Sequence, residues 1–409
     1  MLTTSQPAID ASLDPIREKV LAGERLTAVD GLALYRTRDI FTLGELANLI
    51  RERRHGRRTF YNINRHINYS NYCVLRCKFC SFYRELPARD GPPAADAYEL
   101  NLEQIVTRAA EAHARGATEV HIVGGLHPRL PFSFYTDMCR AIRERCPGLH
   151  IKAFTAIEIV HFTRITRPRL SIREVLLALR EAGLGSLPGG GAEIFDDRVH
   201  DEAFRNKVGE AHWFDVHRTA HELGIASNAT MLYGHVESLE ERVAHLLKLR
   251  EAQDASLARI AAWERSPVRD GPRPAAFQCF IPLSFIPAGS ALAHLPGPSG
   301  LDDLRTLAVS RLMLDNFEHI KAFWIMQTPK LSQVALDWGV DDFDGTVVWY
   351  DITKREGDGT THQELTVEQI RRLIREAGGE PIERDTLYRR VVRAADGRVL
   401  RVEPLAPVA

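Results

Sequence analysis

Short β-like runs alternate with amphipathic helix-like runs along most of the 409-residue chain, and this alternation restricts the possible folds more than any other feature. A strand followed by a helix, repeated seven or eight times, predicts a parallel sheet with right-handed crossovers, closed or nearly closed into a barrel. We therefore expect an α/β fold of the (β/α) TIM-barrel type, either eight-stranded or a partial six-stranded version. The predicted strands are 58–67, 118–124, 149–156, 185–188, 225–233, 276–283, 320–326 and 346–351.

The chain divides into three predicted segments. Residues 1–57 carry apolar side chains at three- and four-residue spacing and are predicted to form N-terminal helices. The barrel is assigned to 58–351, with a surface insertion at about 252–275, where prolines and aspartates interrupt any clear period. Residues 352–409 form a C-terminal extension with one more helix and a short hairpin around Asp396 and Gly397. Three capping boxes mark helix starts, at Ser171, Ser238 and Thr366.

Charge and hydropathy patterning exclude several classes of partner. The chain has 53 Lys and Arg against 54 Asp and Glu, so it lacks the global basic field of a nucleic-acid-binding protein. No apolar run approaches the roughly 18 residues of a membrane helix. The amino terminus also lacks the charged and apolar regions of a secretory signal. We expect a cytoplasmic protein with no nucleic-acid or membrane partner.

Three of the six cysteines lie within eight positions, directly after the first predicted strand, at Cys73, Cys77 and Cys80. Thiolates at this spacing can bind one metal centre from a single loop. A structural zinc site normally has four protein ligands, and no second CxxC or HxxxH motif follows. A four-iron cluster needs one ligand per iron, so three cysteines leave one iron open to an exogenous ligand. Zinc with a distant fourth ligand and three unrelated thiols remain the alternatives.

The CxxxCxxC spacing, with the aromatic Phe79 before the third cysteine, resembles the radical S-adenosylmethionine (radical SAM) enzymes over about residues 58–350. Other stretches are more particularly similar to the aminodeoxyfutalosine synthase family of the futalosine route to menaquinone. Each of them follows or ends a predicted strand, so in a parallel barrel all would lie on the carboxyl-end face, where barrel active sites are built. The stretches are 68–71, 124–128, 152–158, 189–195, 227–235 and 321–326.

The resemblance implies a [4Fe-4S] cluster on the three cysteines, with S-adenosylmethionine bound to the open iron. It implies a transferase that adds the 5′-deoxyadenosyl radical to 3-[(1-carboxyvinyl)oxy]benzoate, with aryl migration and decarboxylation, giving 6-amino-6-deoxyfutalosine. S-adenosylmethionine is then consumed as a co-substrate, and a flavodoxin or ferredoxin supplies the electron. Two alternatives stay open. One is a radical SAM cyclase forming cyclic dehypoxanthinylfutalosine in the same pathway, and the other is a non-catalytic iron–sulfur electron carrier.

Six residues at the predicted barrel mouth are candidates for binding the cofactors. By the resemblance, a glycine pair lets the backbone approach the methionine amino group, although a plain tight turn would also need glycine. A carboxylate can accept hydrogen bonds from ribose hydroxyls or from an ammonium group, or form a structural salt bridge. The candidates are Phe79, Gly124, Gly125, Glu158, Glu193 and Asn228.

The candidate catalytic residues are His127, Arg84 and Arg311. His127 follows Gly-Gly-Leu on the expected active face, where it could contact substrate. The dicarboxylate enol ether substrate that the resemblance implies should attract one or two arginines. Arg84, Arg129 and Arg311 all fit this expectation, and the sequence does not choose among them.

Overall fold

The structure, a computed structural model, describes residues 13–87, 91–347, 350–352 and 363–406. Seven parallel strands, β2 to β8, form one sheet in which each strand pairs with the next in chain order. This sheet confirms the predicted α/β barrel of the TIM type, with seven strands in the described sheet instead of eight or six. The strands are β1 (Arg58–Asn62), β2 (Asn64–Ile67), β3 (Glu119–Ile122), β4 (His150–Ala153), β5 (Ser186–Leu187), β6 (Ala226–Tyr233), β7 (Phe277–Ser284), β8 (His319–Ile320), β9 (Asp342–Gly345), β10 (Glu380–Glu383), β11 (Arg390–Arg393) and β12 (Val399–Glu403).

Helices connect the strands of the barrel and precede it. The helices are α1 (Asp14–Ala22), α2 (Ala28–Arg36), α3 (Ile40–His55), α4 (Leu102–Ala114), α5 (Phe132–Arg145), α6 (Ala156–Ile165), α7 (Ile172–Ala182), α8 (Asp197–Ala203), α9 (Glu210–Glu222), α10 (Leu239–Arg265), α11 (Gly300–Met313), α12 (Trp324–Gln327), α13 (Pro329–Ala335) and α14 (Val367–Glu376). The three predicted capping boxes are confirmed: Ser171, Ser238 and Thr366 each accept a hydrogen bond from the third residue beyond. Within the described ranges, no helix is long and apolar enough to cross a bilayer.

The first predicted strand, 58–67, is two strands in two different sheets. The chain bends at Ile63, so that β2 enters the barrel sheet while β1 stays outside it. β1 pairs in parallel with β9 on one side and β10 on the other. Because β1 leads directly into β2, this three-stranded sheet lies at the amino ends of the barrel strands. The prediction of a single strand was wrong because both halves are equally β-like and only distant pairing separates them.

The predicted insertion at 252–275 is mostly helix. α10 continues without a break to Arg265, and only 266–276 forms a loop before β7. The buried face of this second half is polar: the Gln253 amide donates to the Phe277 carbonyl at 2.8 Å and accepts from the Phe277 N–H at 3.0 Å. Ser256 beside it is buried as well. Because these inward-facing residues are polar, the apolar residues at three- and four-residue spacing that predict a helix are missing from this part of the sequence.

The last barrel-related strand also differs from its prediction. The structure places β9 at Asp342–Gly345, not at 346–351, where 348 and 349 lie outside the described residues. The predicted strand 320–326 is reduced to β8, which ends at Ile320, and α12 follows. Aspartates are uncommon in strands, so two of them in four residues concealed β9. Here their carboxylates are buried and paired, as described below.

The segment after 352 packs against the amino end of the barrel. It contains α14, β10 and the predicted hairpin, which is confirmed as antiparallel β11 and β12. Arg384 and the Tyr388 hydroxyl both donate to Asp342 Oδ2, at 2.7 and 2.5 Å. Phe60, Ile382 and Tyr388 form a small apolar cluster with Cys279 of β7. The C-terminal chain therefore covers the end of the barrel opposite to the loops that carry the cysteines.

Candidate active site

The three clustered cysteines lie on the loop between β2 and α4, at the carboxyl end of the barrel. Backbone hydrogen bonds fix this cysteine loop to its neighbours: the Cys73 N–H donates to the Arg84 carbonyl at 3.0 Å. The Val74 N–H donates to the Leu126 carbonyl at 3.0 Å, and the Lys78 N–H to the Ala203 carbonyl at 2.8 Å. The loop is thus tied to the segment that follows β3 and to the last residue of α8, and these contacts fix its conformation.

The three thiols lie near one another and near one cation. Burial raises the pKa of the Cys77 thiol to about 12, the nearby Lys207 lowers it, and Cys80 and Cys73 add to the rise. Burial also raises the pKa of Cys73 and of Cys80. Buried thiols of this kind become ligands only when a metal replaces the proton. A metal that binds to this loop must therefore displace the protons of these thiols.

The donor set does not fit a single zinc ion. Three thiolates on one zinc ion lie about 3.8 Å apart, since each Zn–S bond is about 2.3 Å and the geometry is tetrahedral. The three sulfur atoms here do not all lie within 4.8 Å of one another, and no described His, Cys, Asp or Glu forms such a compact group with them. A cluster with a separate iron for each thiolate suits the wider spacing. The donors therefore fit a four-iron cluster with three protein ligands.

The glycine pair after β3 is required by close packing against the cysteine loop. A Cβ atom on Gly125 would lie 2.2 Å from the Tyr72 carbonyl oxygen and 3.0 Å from the Cys73 Cβ. One on Gly124 would lie 2.6 Å from the Tyr69 ring. Only glycine lets this backbone come so near the residue that precedes the first cysteine.

Glu158 holds the backbone of the glycine pair through a hydrogen bond from Gly124. It is fully buried at the start of α6, where it completes a capping box with Thr155. Its Oε1 accepts from the Tyr69 hydroxyl at 2.8 Å and from the Gly124 N–H at 3.2 Å. Its Oε2 accepts from the Thr155 N–H at 2.7 Å and from the Thr155 hydroxyl at 2.9 Å. Burial raises its pKa to about 7 despite these four donors. Both oxygens are thus engaged by protein, and the structure places Glu158 outside the wall of the cavity described next.

A cavity of about 240 Å³ opens from the cysteine loop into the barrel. Phe79 and Cys80 line one part of it, and Gly189 and Gly190 form another part of the wall. Most of the surface is apolar, with side chains from β6, β7 and the segments after β7 and β8. These apolar residues are Leu232, Ile281, Leu283, Phe285, Ile286, Phe323 and Met326. The cysteine loop thus faces a cavity whose wall is largely apolar.

Three of the predicted cofactor-binding residues line this cavity: Phe79, Glu193 and Asn228. Glu193 forms a buried ion pair with Lys207, whose ammonium also lies 5.5 Å from the centre of the Phe79 ring. Glu193 has a φ of +47°, in the left-handed region that few non-glycine residues adopt. Among the described residues, the Asn228 amide has no hydrogen-bond partner, which leaves its donor and acceptor groups available to a ligand.

The innermost part of the cavity is polar, and the sequence analysis missed the residues that form it. These residues are His66, His121, Lys152, Lys321 and Asp344. Two of them, Lys152 and Lys321, begin stretches that the sequence analysis singled out for other residues. The available signal was strand alternation, which directs a charged residue inside an otherwise apolar strand toward the barrel interior.

The structure corrects the role of Arg311. Its guanidinium is fully buried and donates to Asp341 and to the carbonyls of Gly339 and Glu318. The same carboxylate accepts a hydrogen bond from His319, at 2.6 Å, at the amino-terminal start of β8. Arg311 therefore lies at the end of the barrel away from the cysteine loop, where it cannot reach a substrate in the cavity.

The other predicted catalytic residues also lie outside the cavity lining. His127 Nδ1 accepts from the N–H groups of Arg129 and Leu130, both at 3.1 Å, and its Nε2 lies 2.7 Å from a Glu99 oxygen. The Arg129 side chain is exposed. Arg84 is ion-paired with Asp96 and lines a separate, more polar pocket beside the cavity. His127, Arg129 and Arg84 are therefore not part of the lining of the central cavity.

Comparison with known proteins gives two family matches. A model of the Radical SAM superfamily matches residues 67–249, and a model of the CofH/MqnC C-terminal region matches 274–395. An aminodeoxyfutalosine synthase of Thermus thermophilus is 47% identical over 93% of this chain and 96% of its own. An aminodeoxyfutalosine synthase of Streptomyces coelicolor is 40% identical over 95% of this chain and 96% of its own. A cyclic dehypoxanthine futalosine synthase of Halalkalibacterium halodurans is 33% identical over 92% of this chain and 94% of its own.

Solved structures agree on the fold. Methylornithine synthase (PylB) has a TM-score of 0.66 at 18% identity, covering 89% of this chain and 96% of that chain. The FeFe-hydrogenase maturase HydG from Carboxydothermus hydrogenoformans has a TM-score of 0.65 at 17% identity, covering 92% of this chain and 80% of that chain. At such low identities these likenesses show a shared architecture alone.

Proposed function

The chain belongs to the radical SAM superfamily, in the group that contains the aminodeoxyfutalosine synthases, and we propose that it makes 6-amino-6-deoxyfutalosine as part of menaquinone biosynthesis. In the proposed reaction the 5′-deoxyadenosyl radical adds to the vinyl group of 3-[(1-carboxyvinyl)oxy]benzoate. The aryl group then migrates from oxygen to carbon. Cleavage of the bond to the carboxylate beside the former vinyl group forms the ketone and releases CO₂ or bicarbonate together with the unpaired electron, so the electron supplied by the reductant is given back. Methionine is the second product of S-adenosylmethionine.

The cofactors are a [4Fe-4S] cluster and S-adenosylmethionine, which together supply the 5′-deoxyadenosyl radical by one-electron cleavage of a carbon–sulfur bond. We assign Cys73, Cys77 and Cys80 as the residues that hold the cluster. Gly124 and Gly125 provide a backbone edge without side chains next to the cysteine loop. Phe79, Glu193 and Asn228, which line the cavity beside that loop, are the assigned contacts for S-adenosylmethionine.

The observation that carries the proposal is that the cysteine loop and a largely apolar cavity share a wall at Phe79 and Cys80. Addition of a carbon radical to an alkene requires the two carbons to be held close together, with no better hydrogen donor in reach. The aliphatic and aromatic walls of the cavity exclude water and hold an aromatic substrate against the loop. An electron carrier would have no use for such a cavity.

The experiment is a product assay with anaerobically reconstituted enzyme, reduced by flavodoxin or ferredoxin. We expect S-adenosylmethionine and 3-[(1-carboxyvinyl)oxy]benzoate to give a covalent adenosine-derived adduct with the mass of 6-amino-6-deoxyfutalosine. The Cys77→Ala variant should give neither adduct nor 5′-deoxyadenosine. The matched control is Cys146→Ala, which changes the C-cap residue of α5 outside the cysteine loop and should behave as wild type.

Two results would overturn the proposal. Free 5′-deoxyadenosine in place of an adduct, formed only with the nucleoside substrate of the cyclase, would make the chain a cyclic dehypoxanthinylfutalosine synthase. An intact cluster that never cleaves S-adenosylmethionine would favour the electron carrier.

A further inference from the structure

A basic layer lies across the barrel interior at the deep end of the cavity. It consists of His66, His121, Lys152 and Lys321, which all line the cavity. Strand register places the first three side by side, because His66 of β2 pairs with His121 of β3 and His121 pairs with Lys152 of β4. Lys321 directly follows β8, on the other side of the barrel. All four side chains line the same cavity, so they form one surface.

Both lysines of the basic layer have donors to spare. The Lys152 ammonium lies 2.8 Å from Glu119 Oε1, and the Lys321 ammonium donates to Asp344 Oδ1 at 2.6 Å. An ammonium group has three N–H donors, and no other partner of either group is present among the described residues. Both lysines are buried. Buried donors without acceptors are unfavourable, so these groups point to a ligand that brings acceptor atoms.

The two histidines offer neutral hydrogen-bonding groups beside the lysines. Their ring centres lie 4.3 Å apart, and His66 Nδ1 is buried with no partner among the described residues. Burial lowers the pKa of His66 to about 4 and also lowers that of His121. The rings are therefore uncharged at neutral pH, and the charge of the basic layer comes from its lysines.

Of the carboxylates among the described residues, only that of Asp344 lines the cavity at this level, and Lys321 engages it. Glu119 lies two residues before His121 on β3, in the level below, and is not part of the cavity lining. The cavity thus presents two ammonium groups and one carboxylate at its deep end. A carboxylate of a ligand would complement the unused ammonium donors.

The shape of the proposed substrate determines which of its two carboxylates would reach the basic layer. Its reactive vinyl carbon must face the cysteine loop, where Phe79 and Cys80 line the cavity. The enol carboxylate is attached beside that carbon and must lie near the same end. The aryl carboxylate is at the far end of the molecule and extends away from the loop, toward the basic layer.

We propose that Lys152 and Lys321 bind the aryl carboxylate of the substrate and so position its vinyl group toward the cysteine loop. The inference rests on the proposed function and assigns the anion-binding role to these lysines in place of an arginine. It also gives the site a preference for aromatic ligands that carry a carboxylate opposite to the reacting group. His66 supplies a neutral imidazole at the same surface.

The test measures binding of two ligands to the anaerobically reconstituted enzyme by titration calorimetry. One ligand is 3-[(1-carboxyvinyl)oxy]benzoate, and the other is 2-phenoxyacrylate, which lacks only the aryl carboxylate. We expect Lys152→Met and Lys321→Met each to bind the first ligand roughly 10- to 100-fold more weakly, and the second with unchanged affinity. Lys248→Met is the matched control, since Lys248 pairs with Glu210 at 2.6 Å outside the cavity, and it should bind both ligands like wild type.

Paired substitutions keep the test valid if a single change harms folding. Glu119→Gln with Lys152→Met, and Asp344→Asn with Lys321→Met, remove both charges of each ion pair and leave no buried carboxylate alone. These double variants should show the same selective loss of affinity for the first ligand. The melting temperature reports folding separately.

The inference is overturned if the lysine variants bind the first ligand like wild type, or if they weaken both ligands equally, which would indicate a structural role. Wild-type enzyme that binds neither ligand would instead refute the proposed function, and this inference with it.

Discussion

Replacing Gly125 with alanine tests the packing between the glycine pair and the cysteine loop. The added Cβ would lie 2.2 Å from the Tyr72 carbonyl oxygen, so the backbone that leads into Cys73 must move by about 1 Å to restore an ordinary contact. Overpacking of this kind costs about 1–3 kcal/mol. Loss of the Gly125 N–H bond to the Ser70 carbonyl, now 2.8 Å, adds about 1 kcal/mol.

The displaced atoms belong to the cysteine loop, so we expect the cost to appear in cluster binding. A penalty of about 2–4 kcal/mol corresponds to roughly a 30- to 1000-fold weaker cluster affinity. Iron and sulfide per chain after anaerobic reconstitution and desalting measure this loss, and the far-ultraviolet circular dichroism should stay that of wild type. Gly209→Ala is the control, because no atom lies within 4 Å of a Cβ there. Wild-type iron content and S-adenosylmethionine cleavage in Gly125→Ala would refute the reasoning.

Other predictions concern buried charges. Burial raises the pKa of Glu158 from 4.5 to about 7. Between these two pH values the folded chain keeps a proton that the unfolded chain has released. The free energy of unfolding should therefore fall by roughly 3 kcal/mol from pH 4.5 to above pH 7. Urea denaturation across this range should show the fall, and Glu158→Gln should reduce it; an equal fall in the variant would contradict the assignment. Lys207→Met leaves the Glu193 carboxylate buried alone and should destabilise the fold by about 3–5 kcal/mol, with most of this restored by adding Glu193→Gln. Arg311→Met should lower stability by a similar amount through Asp341, whereas a rise in KM with normal stability would return Arg311 to substrate binding.

The features that the sequence predicted correctly are local in the chain. Three cysteines within eight residues lie on one loop at the carboxyl end of the barrel, as their position after the first predicted strand indicates. A capping box such as that at Ser171 is complete within four residues, and the structure forms it. Alternating strands and helices define a barrel because each crossover connects neighbours in the sheet.

The features that the sequence did not reveal depend on distant contacts or on polar interiors. β1 is separated from β2 by pairing with β10, which lies more than 300 residues later. Asp342 is favourable inside β9 only because Arg384 and Tyr388 reach it from the C-terminal segment. No propensity calculated from neighbouring residues contains this information.

Two site residues could have been placed better from the sequence. Thr155 and Glu158 have the spacing of a capping box, which predicts that the carboxylate is spent on the helix start. Arg311 lies near the end of a helix that follows a parallel strand, and such a helix ends close to the amino ends of the strands. Both patterns indicate positions away from the ligand.

The most direct test of the account is a Mössbauer spectrum of the protein reconstituted anaerobically with ⁵⁷Fe, recorded with and without S-adenosylmethionine. If Cys73, Cys77 and Cys80 hold a four-iron cluster with one iron free of protein ligands, the signal of one iron in four should change when S-adenosylmethionine is added. A spectrum that S-adenosylmethionine leaves unaltered, or a protein that retains only a single metal ion, would contradict the account.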